Sequence, residues 1–208
     1  MKGQYAMNRQ MKSPDTGRSM IEMLGTIAII AVLTIGGLKG YSMAMRRHRL
    51  NETISQIALI STNIRTFYAE QDTYGSLNLS TAIKYNIVTQ KMVGTNSFLV
   101  NPYKGRIVFS LDKSVRDGPD QTAFVITYRD LPAEACVGLA RTDWGHGEKY
   151  GFISLSVGHD DQDPDYPAPP SEYFVDNRQI HPITVVDALQ HCTGSSQNAQ
   201  STVSIKFY

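Results

Sequence analysis

The chain has 208 residues, 41% hydrophobic and 19% charged, enough for one ordinary folded domain with an appendage and unlike a disordered or collagen-like sequence. Lys and Arg total 20 against 19 for Asp and Glu, so no overall field draws the chain to nucleic acid or anionic surfaces. Partners must be sought in local segments.

Residues 1–17, MKGQYAMNRQMKSPDTG, are polar and carry Lys2, Arg9 and Lys12 against a single acid, Asp15. Pro14 and Gly17 make the end of this stretch a poor helix, which a protease can bind extended. Apolar character then begins abruptly, and Met23–Leu38 reads MLGTIAIIAVLTIGGL without a charge. A helix of that length rises about 24 Å. Met20, Ile21 and Tyr41 extend it toward the hydrocarbon thickness of about 30 Å. A membrane span competes here with a cleaved secretory signal, for which TIGGLKGYSM is a poor cleavage context, and with a buried soluble helix, for which the run is long. Basic residues do not set the orientation: Lys2, Arg9, Lys12 and Arg18 precede the run, while Lys39, Arg46, Arg47 and Arg49 follow it.

Glu22 separates these readings. An acid at the edge of an apolar helix costs up to about 3 kcal/mol at the membrane centre and ordinarily marks function. It is the fifth residue when Arg18 is counted as the first. The stretch Gly17-Arg18-Ser19-Met20-Ile21-Glu22-Met23-Leu24 is similar to the type IV prepilin signature: a small residue, a scissile bond, mostly uncharged residues, an apolar position and a glutamate. The resemblance continues through the apolar run with Gly25, Gly36, Gly37 and Gly40. It implies cleavage between Gly17 and Arg18 by an inner-membrane aspartyl prepilin peptidase, with N-methylation of the new N-terminus at Arg18. A glycine suits the cut because a residue without Cβ lies flat against catalytic groups. The resemblance also implies that Glu22 neutralises the freed amine of a neighbouring subunit during assembly. Relatives commonly begin with Phe, Met or Leu, and Arg18 departs from that pattern. Arg18 and Glu22 are spaced i, i+4, so Arg18 either reaches Glu22 within one subunit or stays at the headgroup level.

The helical pattern continues past the apolar run. After the basic cluster Arg46-Arg47-His48-Arg49, apolar residues fall at Leu50, Ile54, Ile57, Ile64 and Tyr68, with Asn51, Glu52, Gln56, Asn63 and Arg65 on the other face. One helix from Ser19 to about Glu70 is expected, ended by Asp72-Thr-Tyr-Gly75. The basic cluster reads either as a solvated or headgroup-level collar or as a partner for a neighbouring subunit. A short helix is expected from Ser80, its N-cap, to Ile87. Alternation predicts strands over Arg106–Leu111, Thr122–Tyr128, Gly151–Val157 and Thr202–Phe207, and a helix opens near Pro132 and runs into Cys136. The expected fold is α+β, with a long N-terminal helix packed on an antiparallel sheet.

This half resembles the type IVb pilin head of the bundle-forming, toxin-coregulated and conjugative thin-pilus group. The residues that carry the likeness are Leu99-Val-Asn101-Pro-Tyr-Lys-Gly105, Phe124-Val-Ile-Thr-Tyr128, Leu131-Pro132 leading to Cys136, and Cys192 before the final strand. The cysteines alone allow one disulfide or two buried thiols; they cannot by themselves build a zinc site, and they form no C-x-x-C redox pair. A head outside the cytoplasm favours the Cys136–Cys192 disulfide. Residues 137–191 are then expected to be the disulfide-bounded outer surface.

Other segments carry less. Asp160, Asp161, Asp163 and Asp165 could supply oxygen ligands to calcium, but the loop lacks the glycine and terminal glutamate of an EF-hand and reads better as an exposed turn. Trp144 and His146 read as packing and surface residues. No nucleophile–base pair, phosphate loop or zinc spacing points to an enzyme, and no cofactor is implied.

The expected organisation is a leader over 1–17, a membrane and filament-core half-helix over 18–45, and a globular head over 46–208. The resemblance implies a filament of identical subunits, a prepilin peptidase, inner-membrane assembly machinery and membrane lipid before assembly as partners. It places the precursor in the inner membrane with its N-terminus cytoplasmic and its head periplasmic, and the product in a pilus at the surface serving adhesion, aggregation or conjugation. A pseudopilin of a type II secretion system and a membrane-anchored binding module are the rival classes. Leader length and the cysteine-bounded C-terminal region favour the pilin.

Overall fold

The computed structural model describes residues 20–95, 98–114, 118–145, 151–159, 173–176, 183–193 and 200–208. The chain divides into two compact units with the boundary between Met45 and Arg46. Helix α1 (Met20–Phe67) supplies residues to both.

Within the second unit, α1 is amphipathic as its periodicity requires. Ile57, Ile60 and Ile64 are fully buried, and Leu50 and Ile54 pack partly buried beside them. Thr53 and Ser61 share this buried face without penalty, because their hydroxyls donate to the carbonyls of Arg49 (2.8 Å) and Ala58 (3.0 Å). Asn63, expected on the solvent face, turns inward, and its Nδ2 donates to the Ile87 carbonyl at 2.9 Å. The helix ends at Phe67, short of Glu70, and the Tyr68 ring turns into the core to meet Tyr74 at 5.3 Å.

The cap of helix α2 (Leu79–Lys84) lies two residues earlier than expected. Asn78, not Ser80, is the N-cap, and its Oδ1 accepts from the Thr81 amide at 2.8 Å. The helix stops at Lys84 because Asn86 takes a left-handed conformation, φ 55°. A 3-10 turn over Gln90–Met92 follows.

Six strands, β1 (Leu99–Val100), β2 (Arg106–Asp112), β3 (Ala123–Leu131), β4 (Phe152–His159), β5 (Tyr173–Asp176) and β6 (Ser201–Phe207), form one sheet in the order β1-β2-β3-β6-β4-β5. Every pair is antiparallel. The C-terminal strand thus lies near the centre of the sheet. Register places Phe109 against Ile126 and Ile126 against Ile205, which in turn faces Leu155. This apolar face joins Ile57, Ile60 and Ile64 of α1 in one core. The opposite face is polar yet also buried at its centre, where Thr127 and Ser204 share a hydroxyl hydrogen bond of 2.8 Å. β3 therefore runs to Leu131, past the expected end at Tyr128, with a bulge at Asp130 (φ 56°). The Tyr128 hydroxyl has no hydrogen-bond partner among the described residues, and burial raises its pKa far above the phenol value of 10.0.

Helices α3 (Ala133–Ala140) and α4 (Val185–Cys192) are joined by the Cys136–Cys192 disulfide, with Cα atoms 5.8 Å apart. Pro132 is the N-cap of α3. α4 starts at Thr184, whose hydroxyl accepts from the Asp187 amide and donates to its carboxylate. The segment between the cysteines is more than outer surface. It contributes β4, whose Leu155 and Val157 are fully buried, and Ala188 of α4, equally buried.

One ion pair links β2 to β6 across the intervening β3. Partial burial raises the Asp112 carboxyl, but hydrogen bonds from Lys206 Nζ and the Lys113 amide, with both ammonium charges, outweigh it and hold the pKa below its ordinary 3.8. The unfolded carboxyl therefore takes up its proton first as acid is added. The stabilisation is full above pH 3.8 and is lost as pH falls through the lower folded value. Urea midpoints at pH 7 and pH 3 are expected to differ less in Asp112→Asn than in the parent. An unchanged difference would show that this pair does not contribute.

Candidate assembly site

The apolar part of α1 has the character of a surface that water does not face. Among its described residues every large apolar side chain from Met20 to Met43 is exposed, Val32 to 71% and Ile27 to 61%. An 18-residue window here has a mean hydropathy of 2.1, and α1 is long and apolar enough to cross a membrane. The hydroxyls in this stretch are satisfied by the helix itself: Thr26 donates to Met23 O, Thr34 to Ile30 O and Ser42 to Lys39 O, at 2.9, 2.7 and 2.9 Å. No polar side chain in the apolar run therefore needs an outside partner, as a medium without water demands. Glu22 breaks this pattern as an exposed acid near the start of the described helix. Gly17 and Arg18 lie outside the described residues, as do Asp160, Asp161, Asp163, Asp165 and His146. Among the described residues no cluster of three metal-ligating side chains occurs. Trp144 packs partly buried against the core and donates from Nε1 to Leu139 O at 3.1 Å.

The first turns of α1 in the second unit carry Arg46, Arg47, His48 and Arg49, all exposed. Arg46 forms an ion pair with Glu134 at the start of α3. Both groups are largely in solvent, so this contact orients Arg46 more than it stabilises the fold. Tyr103 lies nearby. Burial raises its pKa, the Arg49 charge lowers it and the Glu134 charge raises it, with a net upward shift. The turn that holds Tyr103 is built by Asn101, which is buried. Its Oδ1 accepts from the amides of Tyr103 (2.9 Å) and Gly105 (3.0 Å), and its Nδ2 donates to Arg129 O (2.8 Å). In the sequence, Asn101-Pro-Tyr-Lys-Gly105 stands out only for its likeness to the family. An Asn before Pro, with Gly closing the turn, is the signal that identifies the side-chain bridge.

A long helix that is apolar at one end and core-forming at the other, over an antiparallel sheet with a C-terminal disulfide, defines the class: a type IVb pilin. Solved structures share this fold. The crystal structure of type IV b pilin from Salmonella typhi matches with a TM-score of 0.51, covering 74% of this chain and 95% of that one at 16% identity. TcpA, a type IV pilin from Vibrio cholerae El Tor biotype, matches with a TM-score of 0.51, covering 77% and 99% at 12% identity. The Bundlin family model matches residues 43–208, and the chain belongs to that family. The major structural subunit of bundle-forming pilus of Escherichia coli O127:H6 (strain E2348/69 / EPEC) is 26% identical over 148 residues, 70% of this chain and 74% of the relative. The same subunit from Escherichia coli O111:H- matches equally. The family is one of structural pilin subunits, not enzymes.

Proposed function

We propose that the chain is made as a prepilin, cut between Gly17 and Arg18, and held in the inner membrane by α1 until it polymerises into a surface pilus as its main structural subunit. The observation that carries this reading is the continuous exposed apolar surface of α1, from Met20 to Met43. A monomer in water does not leave a patch of that size uncovered, so lipid covers it first and other copies of α1 cover it later. Its relatives are major structural subunits of a bundle-forming pilus, which supports the same role here.

Glu22 is the residue on which assembly turns in this reading. Surrounded by apolar helices it needs a cation, and the free amine of a neighbour's Arg18 supplies one. Before assembly, Arg18 four positions earlier can neutralise it within the same subunit. Glu22→Ala is expected to leave cleavage intact but to lower the yield of sheared filaments about 100-fold, the equivalent of roughly 3 kcal/mol for an unpaired charge in hydrocarbon. Arg18→Met, which retains the amine, is expected to assemble still. Normal filament yield from Glu22→Ala removes the assembly role of this residue.

A further inference from the structure

We propose that the exposed collar Arg46–Arg49, together with Lys104, docks the headgroup phosphates of anionic phospholipid while the chain resides in the membrane. The proposal rests on the membrane reading above. Four successive helical positions at 100° each point around most of the circumference of α1, and none of the four is buried. The collar is not left to helix alone. Arg46 is oriented by Glu134 at the start of α3, and the turn Asn101–Gly105 is bonded to Arg129 O and packs against Asp130, just before that helix. That turn presents exposed Lys104 in a left-handed conformation (φ 72°), its amide bonded to Asn101 O at 2.9 Å.

The carboxylates nearby are Glu134, engaged by Arg46, Asp130, whose Cβ lies beside Gly105, and exposed Glu52, one helical turn past His48 and Arg49. Against these three stand Arg46, Arg47, Arg49 and Lys104, so the surface keeps an excess of one positive charge. Guanidinium groups bind phosphate oxygens in pairs, and their aliphatic stems tolerate an apolar boundary. In sequence the cluster begins five residues after Tyr41, so it directly follows the apolar stretch.

The test uses the full chain reconstituted in phosphatidylcholine vesicles containing a minority of phosphatidylglycerol. Spin-labelled forms of each lipid report their relative association with the protein. A preference for phosphatidylglycerol of about fivefold per engaged arginine is expected. It should fall to near parity in Arg47→Ala/Arg49→Ala and persist in Arg47→Lys/Arg49→Lys. Flotation of the same vesicles reports insertion separately. A chain that fails to float contradicts the membrane reading and this proposal with it. A chain that floats without lipid preference, or keeps the preference in the alanine variant, overturns this proposal alone. Abolition of the preference by excess inorganic phosphate identifies a free-anion site, which also overturns it. So does an alanine variant that keeps its lipid preference yet loses filaments, since the collar then serves a second copy of the chain.

Discussion

Replacing both cysteines, as Cys136→Ala/Cys192→Ala, is expected to destabilise the head by about 4 kcal/mol on the chain-entropy model. The sequence separation is 56, so the bridge closes a long loop, and such loops restrict the unfolded chain most. Location adds to the effect. The bridge ties α3 to α4, Cys136 and Cys192 are fully buried, and the loop between them returns β4 to the sheet beside β6. Urea unfolding of the oxidised parent and the double variant, compared at one pH, measures it. The variant should lose several kcal/mol, and reductant should bring the parent toward it. Superposed curves would show that the bridge is incidental to the stability of the head.

Gly105→Ala is the second large effect. A Cβ built at Gly105 lies 2.0 Å from the Arg129 carbonyl oxygen and 2.7 Å from Asp130 Cβ. Both neighbours belong to β3, in the middle of the sheet, and neither is a side-chain tip that can swing away. To admit the methyl, the turn must lift from β3, which breaks the Asn101 bonds to the Gly105 amide and to Arg129 O. Two buried hydrogen bonds at about 1 kcal/mol each, with overpacking strain, give a loss of about 3 kcal/mol. Gly138→Ala is the informative control. There the Cβ meets Leu50 Cδ2 at 2.6 Å, the far end of a flexible side chain that can turn aside. Thermal or urea unfolding should place Gly138→Ala well above Gly105→Ala. The reverse order would show that the Asn101 turn is not a fixed element of the fold.

These two sites mark where the sequence is transparent and where it is not. The uncharged run after Glu22 and the 3.6-residue spacing of Ile57 and Ile64 are local signals, and α1 follows from them. So do β2, β4 and β6, each with regular alternation. The far end of β3 is harder, because a strand buried on both faces loses the contrast that alternation supplies. Asn78 outcompetes Ser80 as a cap because the chain enters the helix two residues sooner, which neither residue type decides. α4 carries its signal in Thr184 and Asp187, but a helix of eight residues has little periodicity to confirm it.

The site divides in the same way. Glu22 is legible because an acid beside a long apolar run is rare in any helix. Arg46 and Glu134 are separated by 88 positions, and the Asn101 bond to Arg129 spans 28, so these contacts exist only once the sheet has formed. The core position of β4 has the same origin. Pairing with β6, a strand at the far end of the chain, takes it out of the outer surface that the family resemblance implies.

N-terminal sequencing of the chain recovered from sheared surface filaments shows whether it is cut and assembled as a pilin. A single N-terminus at Arg18 is expected, with Glu22 as its fifth residue and α1 intact. A chain that still begins at Met1, that begins beyond the apolar run, or that is missing from the filament fraction contradicts that expectation.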